Sequence, residues 1–405
     1  MFHIKHIRLE NIKGFKELDI SVSHEGEVSR KRTIILGKNG TCKSTLLRCV
    51  AIGLCDAADG NALIAEPIGR LVSEDASTAT IELELITHEG TDKPHKIITK
   101  LENKNDKDSI VDQTGTLPHN GSIFVCGYGV GRSSTGPETG RSYRIIDSVY
   151  TLFQYEQTLI DTELTLRRLK DYLGTDLYVH AKSGIKKALE LSQEDDFELP
   201  KGGGVVFSGP TIGRHIPLEG LADGYRITFS WILDLYGWAM RADNVTSTGG
   251  VEGILLVDEL EQHIHPSMQT NILSRLSDLF PEMQILATTH SPLVALGALP
   301  QELIALRRDG KSIFSEENIP DFRGYSAEDM LVDSRLFNSK VYSQETNRKL
   351  DRYRELVSIS VDKRSQTQTE ELKTLACELG SQHLPEEQET PLIKELKKFR
   401  EKYDL

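Results

Sequence analysis

Cysteine is scarce. Five in 405 residues, an odd number without paired spacing, exclude a disulfide framework or a zinc ribbon and suit a reducing compartment. Long apolar runs are missing as well. No stretch approaches the roughly 20 apolar residues that span a bilayer, and the start MFHIKHIRLE lacks the core of a signal peptide, so we expect a cytoplasmic protein with no membrane partner. There is no excess of basic charge: 48 Lys and Arg against 61 Asp and Glu give a net charge of −13. The chain as a whole therefore repels nucleic acid, and any such contact must come from local patches. Arg30-Lys31-Arg32, Arg167, Arg168 and Lys170, and Lys182, Lys186 and Lys187 are the candidates, although in a chain of this charge solvated faces account for them better. What is present, 38% hydrophobic and 27% charged residues, excludes a disordered or fibrous chain. It suffices for one large α/β unit with insertions or for two ordinary domains.

The hydropathy pattern gives the organisation. Ile7 and Leu9, then Leu18, Ile20 and Val22, alternate as a strand hairpin, and Thr33 to Leu36 is a short apolar run ending at Gly37. Leu46, Leu47, Val50 and Leu54 at helical spacing predict a helix directly after it. Alternation over Thr80 to Ile86, a turn at Glu89 to Asp92 and the run Lys96 to Leu101 predict a β-hairpin. A mobile Ser/Thr/Gly/Pro-rich loop from Ser133 to Gly140 precedes helical periodicity over about 152–191, which Gly202, Gly203 and Gly204 end. Helical periodicity returns from Tyr225 to Met240, followed by apolar runs at Ile254 to Val257 and Leu286 to Thr289. The last 80 or so residues pattern as polar helices around Leu372, Leu375, Ala376 and Leu379, then Leu392, Leu396 and Phe399, broken at Pro385-Glu386-Glu387.

The chemistry sits where runs end. Gly37, Lys38, Asn39, Gly40, Thr41, Cys42, Lys43, Ser44 and Thr45 lie between a buried strand and a helix, the setting in which backbone N–H groups cradle phosphates. There Lys43 would meet the β and γ oxygens of ATP and Ser44 would ligate Mg²⁺. Cys42 stands where the strict pattern has glycine: its Cβ would strain the loop if φ is positive there, or crowd the phosphate. Asp258 and Glu259 end the apolar run 254–257, so Asp258 would reach the metal and Glu259 would deprotonate the attacking water. His290, in Thr288-Thr289-His290-Ser291-Pro292, ends the next run and would sense the γ-phosphate. Leu221-Ala222-Asp223-Gly224-Tyr225 opens a helix whose N-terminal amides would bind phosphate.

In this order, IRLENIKGF, GKNGTCKSTLLR, GYGVGR at 127–132, LADGYR, LLVDELEQHIHP and TTHSP resemble the SMC-related ABC-type ATPases of bacterial defence and repair, of the OLD-like and Septu kind. The resemblance covers residues 1 to 300. It implies an α/β P-loop head of the ABC/SMC type with an antiparallel β subdomain, a helical lid insertion and a helical C-terminal extension. The expected divisions are 1–132, 133–204 for the lid, 205–310 and 311–405. It also implies ATP hydrolysis, slowed by Cys42 and by Ala222 in place of the usual signature serine. In this family Leu221, Asp223 and Gly224 bind the nucleotide of the opposite protomer, which implies a homodimer around ATP. A nuclease often works in the same system, and since no nuclease cluster is visible we expect it on a separate effector protein. The gap from Ser44 to Leu221 is too short for a long coiled-coil arm. A RecF-like repair clamp, whose ATP state controls DNA residence, is the alternative; a transporter subunit fits the motifs less well.

Overall fold

The computed structural model describes all residues except 24–28, 88–93, 116–122, 133–134, 137–141, 317–318, 360–362 and 382–405. The chain opens with β1 (Phe2–Ile12), β2 (Phe15–Ser21) and β3 (Arg32–Leu36). Helices α1 (Lys43–Leu54) and α2 (Ala57–Ile64) precede β4 (Thr78–Thr87), β5 (His95–Lys104) and β6 (Lys107–Thr114). After β7 (Val125–Tyr128) and the short α3 (Ile145–Val149) comes the long α4 (Thr162–Ala188). Three short strands, β8 (Asp196–Glu198), β9 (Val206–Gly209) and β10 (Gly213–Pro217), lead into α5 (Asp223–Arg241). Next are β11 (Glu252–Val257), α6 (Pro266–Leu279), β12 (Glu282–Thr289), α7 (Pro292–Leu296), β13 (Leu303–Asp309) and β14 (Ser312–Glu316). These belong to one compact unit, Met1–Pro320. A second unit, Asp321–Leu405, contains α8 (Ala327–Val332), α9 (Gln344–Ser358) and α10 (Gln366–Ser381).

Two sheets organise the first unit. The larger runs β14-β13-β3-β12-β11-β7, with every neighbouring pair parallel except β13–β14. β3, β11 and β12 are covered on both faces, which is why they read as unbroken apolar runs rather than as alternation. The antiparallel sheet β2-β1-β4-β5-β6 alternates instead: Ala79, Ile81, Leu83 and Leu85 of β4 point inward. Gly53 of α1 sits against this layer, where a Cβ would meet Leu83 Cδ1 at 2.8 Å. Gln284, fully buried in β12, ties the sheets together. Its amide accepts from the Ile4 N–H at 2.7 Å and donates to Ile4 O at 2.7 Å and Arg30 O at 3.2 Å. Losing that side chain would strand buried backbone groups at about 1–3 kcal/mol each.

Within the helical stretch α4 breaks at Gly174 (φ 69°, ψ −177°), a conformation only glycine adopts readily. Two expected divisions fall differently in the structure. A boundary at 204 cuts a small sheet, since β8 pairs with β9 across it, Phe197 opposite Phe207. Those two rings pack on Phe229 of α5, at centroid distances of 5.0 and 5.2 Å, so the sheet stays with the helix that follows. The C-terminal region is not helical from 311: Ser312–Glu316 pairs antiparallel with β13 and the next helix starts at Ala327. In the second unit Leu372, Leu375, Ala376 and Leu379 pack with Leu350, Tyr353 and Leu356. The Glu89–Asp92 turn, most of the Ser133–Gly140 loop, the Pro385–Glu387 break and the helix around Leu392, Leu396 and Phe399 lie outside the described residues.

Candidate functional site

The turn Gly37 to Cys42 leaves the tip of β3 and feeds α1. At Gly37 a Cβ would lie 2.4 Å from Thr41 Oγ1 and 2.8 Å from Leu306 O, so the position excludes side chains. Gly40 is left-handed (φ 79°), and so is Cys42 (φ 61°, ψ 27°), the N-cap of α1. Of the two ways in which Cys42 was expected to depart from the glycine pattern, the structure shows the strained one. α1 has neither a side-chain cap nor an acid in its first turn, which leaves its first N–H groups directed at an anion site. Asn39 is exposed, Thr41 donates its hydroxyl to Lys38 O at 2.8 Å, Ser44 is half-buried and Thr45 buried. The Lys43 ammonium is buried and donates to Gly37 O (2.7 Å) and Lys38 O (3.2 Å), 3.5 Å from Nδ1 of His290. Burial pushes its pKa down to about 8, against the pull of Asp258, Glu259 and Glu261.

Parallel pairing of β11 with β12 and β7 carries Asp258 and Glu259 to the same end of the sheet. Asp258 is buried and accepts the Thr288 hydroxyl at 2.6 Å, while the same Thr288 oxygen accepts the Glu259 N–H at 2.9 Å. Glu259 is left-handed (φ 49°). The backbone there is gripped by Arg132, fully buried, which donates to Asp258 O (2.7 Å), Glu259 O (2.7 Å) and Gly129 O (2.9 Å). Burial brings Arg132 down to about 10. Burial, then Asp258 and Glu261, raises the Glu259 carboxyl above its ordinary range, toward that of a general base. Burial and Lys43 lower His290, so its ring is neutral near pH 7. Glu261 accepts the Thr289 hydroxyl and the His290 N–H, both at 2.6 Å. Sequence reasoning gave Arg132 and Glu261 no individual role. The signals were there, an arginine closing GYGVGR and a third acid after Asp258 and Glu259, but both act on backbone groups that no side-chain pattern shows.

Leu221, Asp223 and Gly224 are placed differently. Leu221 is half-buried, Ala222 and Asp223 are exposed, and Asp223 pairs with Arg226 on its own helix at 2.7 Å. Gly224 abuts the segment that follows Glu259: a Cβ there would meet His263 O at 2.6 Å. Several of the basic candidates have intrachain partners. Arg30 donates to Ser21 O and Ser23 O, Lys31 to Pro281 O, Arg167 to Gly203 O, and Arg32 pairs with Glu302. Lys182 and Lys186 both face Asp196, at 2.8 and 3.7 Å.

A glycine turn and lysine after a central strand, two acids on the strand two places away, and a histidine on the strand between them, flanked by an antiparallel β layer, form the arrangement of a P-loop α/β fold. Residues 131–296 match the family model described as "AAA domain, putative AbiEii toxin, Type IV TA system". The chain is similar to Septu protein PtuA of Bacillus mycoides (strain KBAB4), 24% identical over 381 residues that cover 93% of this chain and 50% of that one. It is also similar to Septu protein PtuA of Bacillus thuringiensis, 28% identical over 185 residues, 43% of each chain. The chain thus spans about half or less of the length of these relatives. Among solved structures, an SMC head bound to the C-winged helix domain of ScpA has a TM-score of 0.47 at 14% identity, over 77% of this chain and 97% of that one. The Septu part of the resemblance drawn from the motifs agrees with the two PtuA relatives.

Proposed function

We propose that the chain binds ATP with Mg²⁺ and hydrolyses it slowly as one half of a head-to-head homodimer. Its nucleotide state then governs a separate effector, a nuclease by class, in anti-phage defence. The observation that carries the reading is the convergence of Lys43, Asp258, Glu259 and His290 at one end of one parallel sheet. The turn fits phosphate, because it delivers the N-terminus of α1 with no side-chain cap and no acid in its first turn. The Ser44 hydroxyl and the Asp258 carboxylate fit Mg²⁺, a cation of hard oxygen donors whose charge would be shared with the phosphates. Among the described residues no group of three or more His, Cys, Asp or Glu could hold a metal ion. Glu259 takes the proton of the attacking water as oxygen bonds to the γ-phosphorus and the bond to the β-phosphate oxygen breaks. Leu221, Asp223 and Gly224 complete the site of the second copy, as the motif resemblance implies; within this chain Asp223 pairs with Arg226 and Gly224 lies close to His263 O. The names of the Septu relatives support the defence setting. Among the described residues no helix is long and apolar enough to cross a membrane.

The test separates binding from turnover. Lys43→Ala should lose ATP binding in calorimetry. Glu259→Gln should bind ATP and lose hydrolysis by on the order of 10²–10⁴-fold. Hydrolysis by Glu259→Gln at the parent rate would remove Glu259 from the chemistry.

A further inference from the structure

Glu261 stands on the turn after β11, yet both of its carboxylate oxygens are engaged at the tip of β12. One oxygen accepts the Thr289 hydroxyl and the other the backbone N–H of His290, each at 2.6 Å. The same tip is held from further sides: the Leu260 N–H donates to Thr288 O at 2.9 Å, the Ser291 N–H to Thr289 Oγ1 at 2.9 Å, and the Ser291 hydroxyl to Gln269 at 2.6 Å. The backbone around His290 and the hydroxyls of Thr288, Thr289 and Ser291 are thus held by the chain itself.

We propose that Glu261 is the positioning residue for His290, setting the ring as a neutral hydrogen-bond donor toward a phosphoryl oxygen held by Lys43. An ammonium has only protons to offer, so the Nδ1 that lies 3.5 Å from Lys43 Nζ faces it as a lone pair. The ring proton is then on Nε2, which donates. Rotation or retreat of the residue 290 backbone would cost that alignment. Glu261 is not itself a base in this scheme, because its two oxygens are occupied by Thr289 and His290. The turnover part of the proposal rests on the ATPase reading above; the positioning part does not.

The experiment compares Glu261→Ala, Glu261→Gln, His290→Ala and the double variant Glu261→Ala/His290→Ala in the full chain. Glu261→Ala should lower kcat on the order of 10²-fold with little change in ATP affinity, the scale expected for a misplaced catalytic group. Glu261→Gln should stay close to the parent, since its carbonyl still accepts from the His290 N–H and its amide donates to the Thr289 oxygen. The double variant should be no slower than His290→Ala alone. Amide exchange over residues 289–291, measured without nucleotide, should quicken in Glu261→Ala and not in Glu261→Gln. A glutamine variant as slow as the alanine one, or additive losses in the double variant, would overturn the proposal, as would unchanged exchange in Glu261→Ala. If the parent itself does not hydrolyse ATP, the ATPase reading fails and the exchange result alone decides the positioning role.

Discussion

Cys42 occupies a backbone conformation (φ 61°, ψ 27°) that costs a residue with a Cβ roughly 1–2 kcal/mol. The side chain recovers part of that by packing, half-buried, against the core beneath α1. Removing the Cβ relieves the strain but adds freedom to the unfolded chain, worth about 0.5–1 kcal/mol. We therefore expect Cys42→Gly to be more stable than the parent by up to about 1 kcal/mol in urea unfolding, and Cys42→Val, β-branched in a left-handed position, to be less stable. A loss of stability in Cys42→Gly would show that sulfur packing outweighs the backbone term. The departure from the glycine pattern is therefore a matter of conformational cost at one residue, and the surrounding turn keeps its shape.

Among the elements, α5 is fastened by a buried acid. Asp234 accepts the Ile160 N–H at 2.7 Å and the Tyr128 hydroxyl at 2.8 Å, joining α5 to β7 and to the approach to α4. Burial pushes its carboxyl up to about 6 from an ordinary 3.8. The folded state then holds the proton more tightly than the unfolded one, so stability falls as pH rises from about 4 to 6 and stays reduced above that window. Asp234→Asn keeps an acceptor for Ile160 and offers an N–H to the Tyr128 oxygen. Relative to the parent it should gain on the order of 1–3 kcal/mol between pH 4 and pH 7.5, read from urea midpoints at the two values. An identical difference at both would rule out Asp234 as the titrating group. At this scale the sequence was unevenly legible. β3, β11 and β12 were read from apolar runs because both faces are covered, and their tips carried Lys43, Asp258, Glu259 and His290 into view. β8, β9 and β10, of 3, 4 and 5 residues, are too short to show a period, and β6 is exposed on most of its length. A single glycine in helical periodicity gave no notice of the break at Gly174, where what matters is φ.

For the whole molecule, association has to overcome a net charge of −13 on each copy, so a dimer closed by ATP should form more readily as salt screens that repulsion. Light scattering of Glu259→Gln with ATP should give twice the mass seen without it. Ala222→Trp adds bulk at an exposed N-cap, whereas any side chain at Gly224 would meet His263 O within its own chain. That variant should bind ATP, remain single and lose turnover; a single, fully active parent would refute the two-copy site. The order of strands in the larger sheet bears on all of this, because β12 stands between β3 and β11. Neighbouring strands lie about 4.8 Å apart, so the tips of β3 and β11 are separated by roughly 10 Å, and Lys43, at the start of α1, reaches back toward the tip of β12 between them. Asp258 pulls on Lys43 through space, yet the lysine donates its hydrogen bonds to loop carbonyls. The interposed strand thereby sets the His290 ring beside the Lys43 ammonium, so the order of three strands decides which side chain the lysine meets.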